Sequence, residues 1–161
     1  MFHAKLIKTI VLASAFTIVC ISSASPYDLK PLNASKQHSA EQINHLNTIT
    51  MIFQPDCSWC KKQGKTLAKI FKQCQSSLQV NLVGTKGKKR HLQKELKHYH
   101  EKIPAFMADR KFLRKIGGYQ ASPTTLFFDN NGELIAKKRG FIPENNLADA
   151  IKLLSQGECK I

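Results

Sequence analysis
A chain of 161 residues is enough for one domain and tight for two. Its 42% hydrophobic content is ordinary for a globular protein, and neither an internal repeat nor a low-complexity segment is present. The formal net charge of +14 argues first for a soluble cationic surface, and only then for an acidic protein, anionic lipid or nucleic acid as partner.

The N-terminus reads as a secretory signal peptide. Lys5 and Lys8 precede an apolar run from Thr9 to Ile21, and the small residues Ser22, Ser23, Ala24 and Ser25 follow. The run is shorter than the roughly 20 residues a helix needs to cross a bilayer. Cleavage after Ala24 is expected, which makes residues 1–24 a leader, with an uncleaved membrane anchor as the alternative. Export favours disulfides, and the four cysteines beyond the leader, Cys57, Cys60, Cys74 and Cys159, allow three pairings.

Residues 25–46 form a polar lead-in with two prolines, closing on a short helix that opens at a capping pair, Ser39 and Gln42. "NTITMIF" (47–53) is a β-branched, apolar run and predicts a buried strand. From Ser58 the period becomes helical, with Leu67, Ile70, Phe71 and Cys74 on one face and lysines mostly on the other. "LQVNLVG" (78–84) predicts a second buried strand, followed by a basic helix over Lys88–Lys102 with Leu92, Leu96 and Tyr99 aligned. "IPAFMAD" is a short extended piece, and "RKFLRKIGGY" a helical turn stopped by Gly117-Gly118. "SPTTLFFDNNGELIAKKRG" predicts a hairpin around Asn130-Asn131-Gly132. The last element runs from Pro143 to Gly157, with Leu147, Ala150, Ile151 and Leu154 as its apolar stripe. Strands alternating with helices predict a parallel pair, and the hairpin adds antiparallel strands, so the fold class is α/β with a mixed sheet.

The chemistry concentrates in "FQPDCSWCKKQ", Phe53 to Gln63. Cys57 stands where a strand turns into a helix, and a helix N-terminus favours a thiolate. Cys60 follows at the spacing that lets it close a small-ring disulfide and resolve a mixed one. Lys61 and Lys62 add positive charge, and Asp56 opposes it. By spacing alone the pair is a redox dithiol, a static disulfide or half a metal site. A zinc site needs further soft ligands, and the candidates by type, His98 and His100, fall on the basic, solvated helix. No metal is expected.

The strand–CxxC–helix unit, Ser122-Pro123-Thr124 leading into a strand, the hairpin, Gly140 and the amphipathic last helix together resemble the thioredoxin superfamily over residues 47–156. Within it, the run from Ile103 to Phe141 is most similar to the exported TlpA and ResA group of thiol-disulfide proteins. Asp56 stands where that group has tryptophan, and Ser58-Trp59 replaces its proline-containing pair, features that resemble DsbC- and TrbB-like exported proteins. Met51 occupies the place of the buried acid of thioredoxins. The resemblance implies a thioredoxin-like domain over 47–161, a central sheet of about four strands flanked by helices, and a cis Pro123. It assigns Cys57 as nucleophile and Cys60 as resolving thiol. Ser122, Pro123 and Trp59 shape the substrate groove, and Ser58 with Trp59 tunes the potential. Because the two helices pack on one side of the sheet in this fold, it also implies a structural disulfide between Cys74 and Cys159.

The expected function is thiol-disulfide exchange with protein substrates after export, with reduction favoured over oxidation, as a monomer served by a membrane-bound electron donor. No organic cofactor is needed, no nucleic acid is expected, and the basic surface allows weak association with anionic membrane. The rival readings are a thiol-based copper(I) carrier and an assembly component of a secretion or conjugation apparatus.

Overall fold
A computed structural model describes residues 29–34 and 46–161 of the chain. The leader and the short helix opening at Ser39 lie outside the described residues.

One six-stranded sheet organises the chain, built from β1 (Lys30–Pro31), β2 (Asn47–Phe53), β3 (Leu78–Gly84), β4 (Ala105–Met107), β5 (Thr124–Phe128) and β6 (Leu134–Arg139). Their order across the sheet is β1-β4-β3-β2-β5-β6. β3 runs parallel to both β2 and β4, while β1–β4, β2–β5 and β5–β6 pair antiparallel. The sheet is mixed as its sequence predicts, but wider than four strands. The two extra strands span two and three residues, too short to display a period in sequence, and both depend on tertiary support. That support is visible at Asn33. Its amide donates to the Ile103 carbonyl at 2.8 Å and accepts from the Ala105 N–H at 3.0 Å, pinning the lead-in to the sheet edge.

Four helices complete the layers: α1 (Ser58–Cys74), α2 (Lys89–Glu95), α3 (Arg110–Lys115) and α4 (Glu144–Leu154). Alternation along β2 divides the core. Ile49, Met51 and Phe53 face a cluster with Leu67 and Ile70 of α1, Leu92 of α2, and Leu147 and Ile151 of α4. Ile52 faces the opposite side, with Val83, Leu126 and Phe128 beneath Phe112 of α3.

The basic helix is shorter than expected. It ends at Glu95 and continues as one 3-10 turn, Leu96–His98. Tyr99 then adopts an extended conformation, and its ring lies on Gly64 of α1, where no side chain would fit between them. The expected apolar face is kept, since Leu92 and Tyr99 are buried and Leu96 packs against the core. The terminal stretch is bent by that contact, so its register comes from Gly64 and not from helical period. No helix among the described residues is long and apolar enough to cross a membrane.

Candidate active site
β2 ends at Phe53, and the turn Gln54-Pro55-Asp56 delivers Cys57 to the start of α1. Asp56 takes a left-handed conformation, φ 57°, which reverses the chain sharply enough for Cys57 to cap a helix that begins at Ser58. Cys57 is the N-cap, and its Sγ accepts the Cys60 N–H at 3.1 Å. The first turn contains no acid, so the partial positive charge of a 17-residue helix bears on Cys57 without a local counter-charge from the helix itself.

Cys57 and Cys60 are joined as a disulfide, with Cα atoms 5.2 Å apart. The two residues differ in exposure. Cys57 retains 9% exposure, while Cys60 has none and lies in the core against α1's buried face. An incoming nucleophile or disulfide therefore meets Cys57 first. This is the physical asymmetry that disulfide exchange requires of an attacking and a resolving thiol.

The facing wall comes from the loop entering β5. The Ser122–Pro123 peptide bond is cis. Register explains why this loop adjoins the dithiol: Thr124 pairs with Ile52, which places Pro123 alongside the end of β2 where the turn to Cys57 begins. The Pro123 carbonyl accepts the Gly140 N–H at 2.8 Å, and Gly140, φ 84°, turns the chain out of β6 toward Phe141.

Trp59, between the cysteines, is 54% exposed, and Ser58 is exposed beside it. Its ring tilts against Phe141, with centroids 5.3 Å apart, and the Lys62 ammonium lies 5.1 Å from the Trp59 ring and 4.7 Å from the Phe141 ring. On the other side, the Tyr119 hydroxyl donates to Gln54 Oε1 at 3.1 Å and makes a short hydrogen bond with Ser122 Oγ. Burial pushes the Tyr119 phenol up, and the Ser122 hydrogen bond partly offsets it. The Lys86 ammonium stands 5.2 Å over the Tyr119 ring.

Sequence reading assigned no role to Tyr119, Phe141, Lys86 or Gln54: the first three come from three different loops outside the dithiol motif, and Gln54, though inside it, finds its partner only 65 residues away. It also missed Gln63, fully buried on α1, whose Oε1 accepts the Ile142 N–H at 2.7 Å and ties the helix to the segment after β6. A glutamine on the apolar face of a helix was the available signal. Glu95 is likewise buried, 3.7 Å from the Lys61 ammonium. Burial, with the Glu95 carboxylate second, pushes the Tyr99 phenol far up.

Cys74 and Cys159 are bonded, with Cα atoms 5.3 Å apart across 85 residues. Cys74 closes α1, about 25 Å along the helix from Cys57 at 1.5 Å per residue. Met51 is buried on the α1 side of the sheet, at the position where thioredoxins have an acid. His98 and His100 are half-buried and apart from the dithiol, His100 against the Phe71 ring at 5.2 Å. Among the described residues no group of three metal-binding side chains gathers.

Residues 34–155 match the family model of the thioredoxin-like domain. A comparison with curated protein sequences found no match. Solved structures are similar in fold. The exposed lipoprotein thioredoxin of Streptococcus pneumoniae matches with a TM-score of 0.65 at 20% identity, covering 80% of this chain and 98% of that one. A thiol-disulfide isomerase of Corynebacterium glutamicum matches at 0.67 and 17%, covering 81% and 96%. A secreted disulfide oxidoreductase of Mycobacterium tuberculosis matches at 0.61 and 11%, covering 78% and 94%.

Proposed function
Because this chain belongs to the thioredoxin-like domain family and holds a bonded Cys57–Cys60 pair, we propose that it is an exported thiol-disulfide oxidoreductase acting on protein disulfides. The observation that carries the reading is a bonded cysteine pair at a helix N-terminus, its first residue slightly exposed and its second enclosed.

In the reducing direction the Cys57 thiolate attacks one sulfur of a substrate disulfide. A mixed disulfide forms and the first substrate thiolate leaves. Cys60 gives its proton to that thiolate or to water and attacks Cys57 Sγ. The second substrate thiolate leaves, and the protein retains the Cys57–Cys60 disulfide. Two electrons have passed to the substrate. A membrane-bound dithiol donor then restores the reduced pair by the same exchange in reverse. Ser122 and Pro123 form the wall against which the substrate strand lies, Trp59 its apolar rim, and Ser58 with Trp59 sets the potential. One dithiol per chain suffices, so the working unit is a monomer.

Export is supported by the second disulfide, which suits an oxidising compartment. It is supported also by the fold shared with an exposed pneumococcal lipoprotein and a secreted mycobacterial protein. The test is insulin reduction by a dithiol-fed assay. Wild-type protein accelerates it, and Cys57→Ser abolishes the acceleration. A Cys60→Ala variant accumulates mixed disulfides with its substrates. A Cys57→Ser variant as active as wild type would overturn the reading.

A further inference from the structure
Two lysines bracket the opening of the dithiol, each laid over aromatic rings. Lys62 stands over Trp59 and Phe141, and Lys86 over Tyr119. Both lysines are exposed. They come from different elements, α1 and the loop after β3, and converge because that loop packs on the turn before Cys57. A Cβ at Gly87 would stand 2.8 Å from Pro55 Cγ.

Two other lysines of α1 have acidic partners. Lys61 faces Glu95, and Lys69 pairs with Glu144 at 2.8 Å. Lys62 and Lys86 form no salt bridge among the described residues. The nearest acid in sequence to the reactive sulfur, Asp56, is exposed and single. A cation over an aromatic face is attracted to the ring, which restrains where its positive charge stands for whatever docks. The Lys62 stack also offers an apolar shelf: Trp59, 54% exposed, lies against half-buried Phe141.

We propose that the substrate segment this groove selects is acidic: a carboxylate-bearing stretch flanking the target cystine, with an apolar side chain that rests on the Trp59–Phe141 shelf while its carboxylates meet Lys62 and Lys86. This rests on the exchange reading above and names the substrate class of the same site. Charge complementarity at the rim acts mainly on encounter and orientation, so the selection weakens as salt rises.

The test compares exchange rates for three disulfide peptides sharing one cystine and one phenylalanine, flanked by Glu, Gln or Lys. Wild-type protein is expected to prefer the Glu over the Lys peptide about threefold to tenfold in kcat/KM at low salt, given the modest strength of exposed ion pairs. The preference shrinks with added salt. The Lys62→Gln/Lys86→Gln double variant brings the ratio close to one, and Lys62→Glu/Lys86→Glu reverses it. Equal rates for all three peptides with wild type would overturn the inference while leaving the exchange reading standing. So would a double Gln variant that keeps the full ratio, because the general positive charge of the chain would then carry it. Exchange with none of the peptides would sink the exchange reading, and this inference with it.

Discussion

Cys57 and Cys60 differ in exposure, 9% against none, and the roles proposed for them rest on that difference. Once reduced, Cys57 is at the N-cap of α1 and Cys60 is enclosed in the core. Iodoacetamide at about pH 6 is therefore expected to alkylate Cys57 and spare Cys60, since a helix N-terminus lowers a thiol's pKa and burial in apolar surroundings raises it. Equal labelling of both, read by peptide mass spectrometry, would refute the assignment. Tyr99 tells a different story at the same scale. Its buried hydroxyl has no hydrogen-bond partner among the described residues, and burial with Glu95 raises its phenol above the ordinary 10.0. The folded state thus retains a proton that the unfolded chain releases above about pH 10. This contribution to stability is fully present below that pH and declines as pH rises further. The raised phenol of Tyr119 acts in the same direction. Tyr99→Phe is expected to stay within about 1 kcal/mol of wild type at pH 7, because only an unpaired hydroxyl is lost. Above pH 10 it should lose stability less steeply than wild type. Denaturant unfolding at pH 7 and pH 10.5 checks both, and parallel slopes with pH would place the titration elsewhere.

At the scale of elements, short pieces depend on neighbours for their ends. α3 spans only six residues, begins at Asp109, whose carboxylate accepts the Phe112 N–H at 2.7 Å, and ends at Ile116. The carbonyls just past its end are met from the edge strand. Lys137 of β6 donates to the Ile116 carbonyl at 3.0 Å and also reaches those of Gly117 and Gly118. A cation there complements the helix dipole and satisfies groups that a helix end leaves unpaired. Lys137→Met keeps the stem and removes the charge. It is expected to cost about 1 kcal/mol and to speed amide exchange around Gly117 and Gly118. Unchanged exchange would reduce Lys137 to a surface lysine. The same strand shows how an edge is kept from pairing with other chains. Lys137, Lys138 and Arg139 follow one another along it, and like charge on an exposed edge opposes association.

Over the whole molecule, the two disulfides do different work. The Cys57–Cys60 ring is local, while Cys74–Cys159 ties the end of α1 to the chain beyond α4. Closing a loop of 85 residues restricts the unfolded chain by up to about 4–5 kcal/mol in the chain-entropy model, and commonly less. A Cys74→Ser/Cys159→Ser variant should melt several degrees lower yet retain exchange, because the bond lies about 25 Å along α1 from the dithiol. Limited reduction of wild type should open Cys57–Cys60 first, since Cys74 and Cys159 are 0% and 4% exposed. Loss of exchange in the folded variant, or opening of both bonds together, would contradict this division.

Elements with a local cause can be read directly along the chain. β2 stands at residues 47–53 because a β-branched, largely apolar run suits a buried strand, and β3 at 78–84 because Leu78, Val80 and Leu82 alternate with Gln79 and Asn81. α1 begins at Ser58 because the apolar period starts there and Cys57 caps it. The dithiol itself was legible as a spacing. Tertiary structure alone decided what depends on residues meeting across the chain. β1 and β4 exist because Asn33 and the sheet edge hold them, and the basic helix bends because Tyr99 lies on Gly64. The rim of the site is likewise assembled from loops 20 to 80 residues apart in sequence, roughly the reach of the register pairing β2 with β3 and β5. Lys62, Phe141, Tyr119 and Lys86 have no period or motif in common, since a period records one element's exposure to its own surroundings. Their convergence on Cys57 follows from strand order, which no local stretch of the chain encodes.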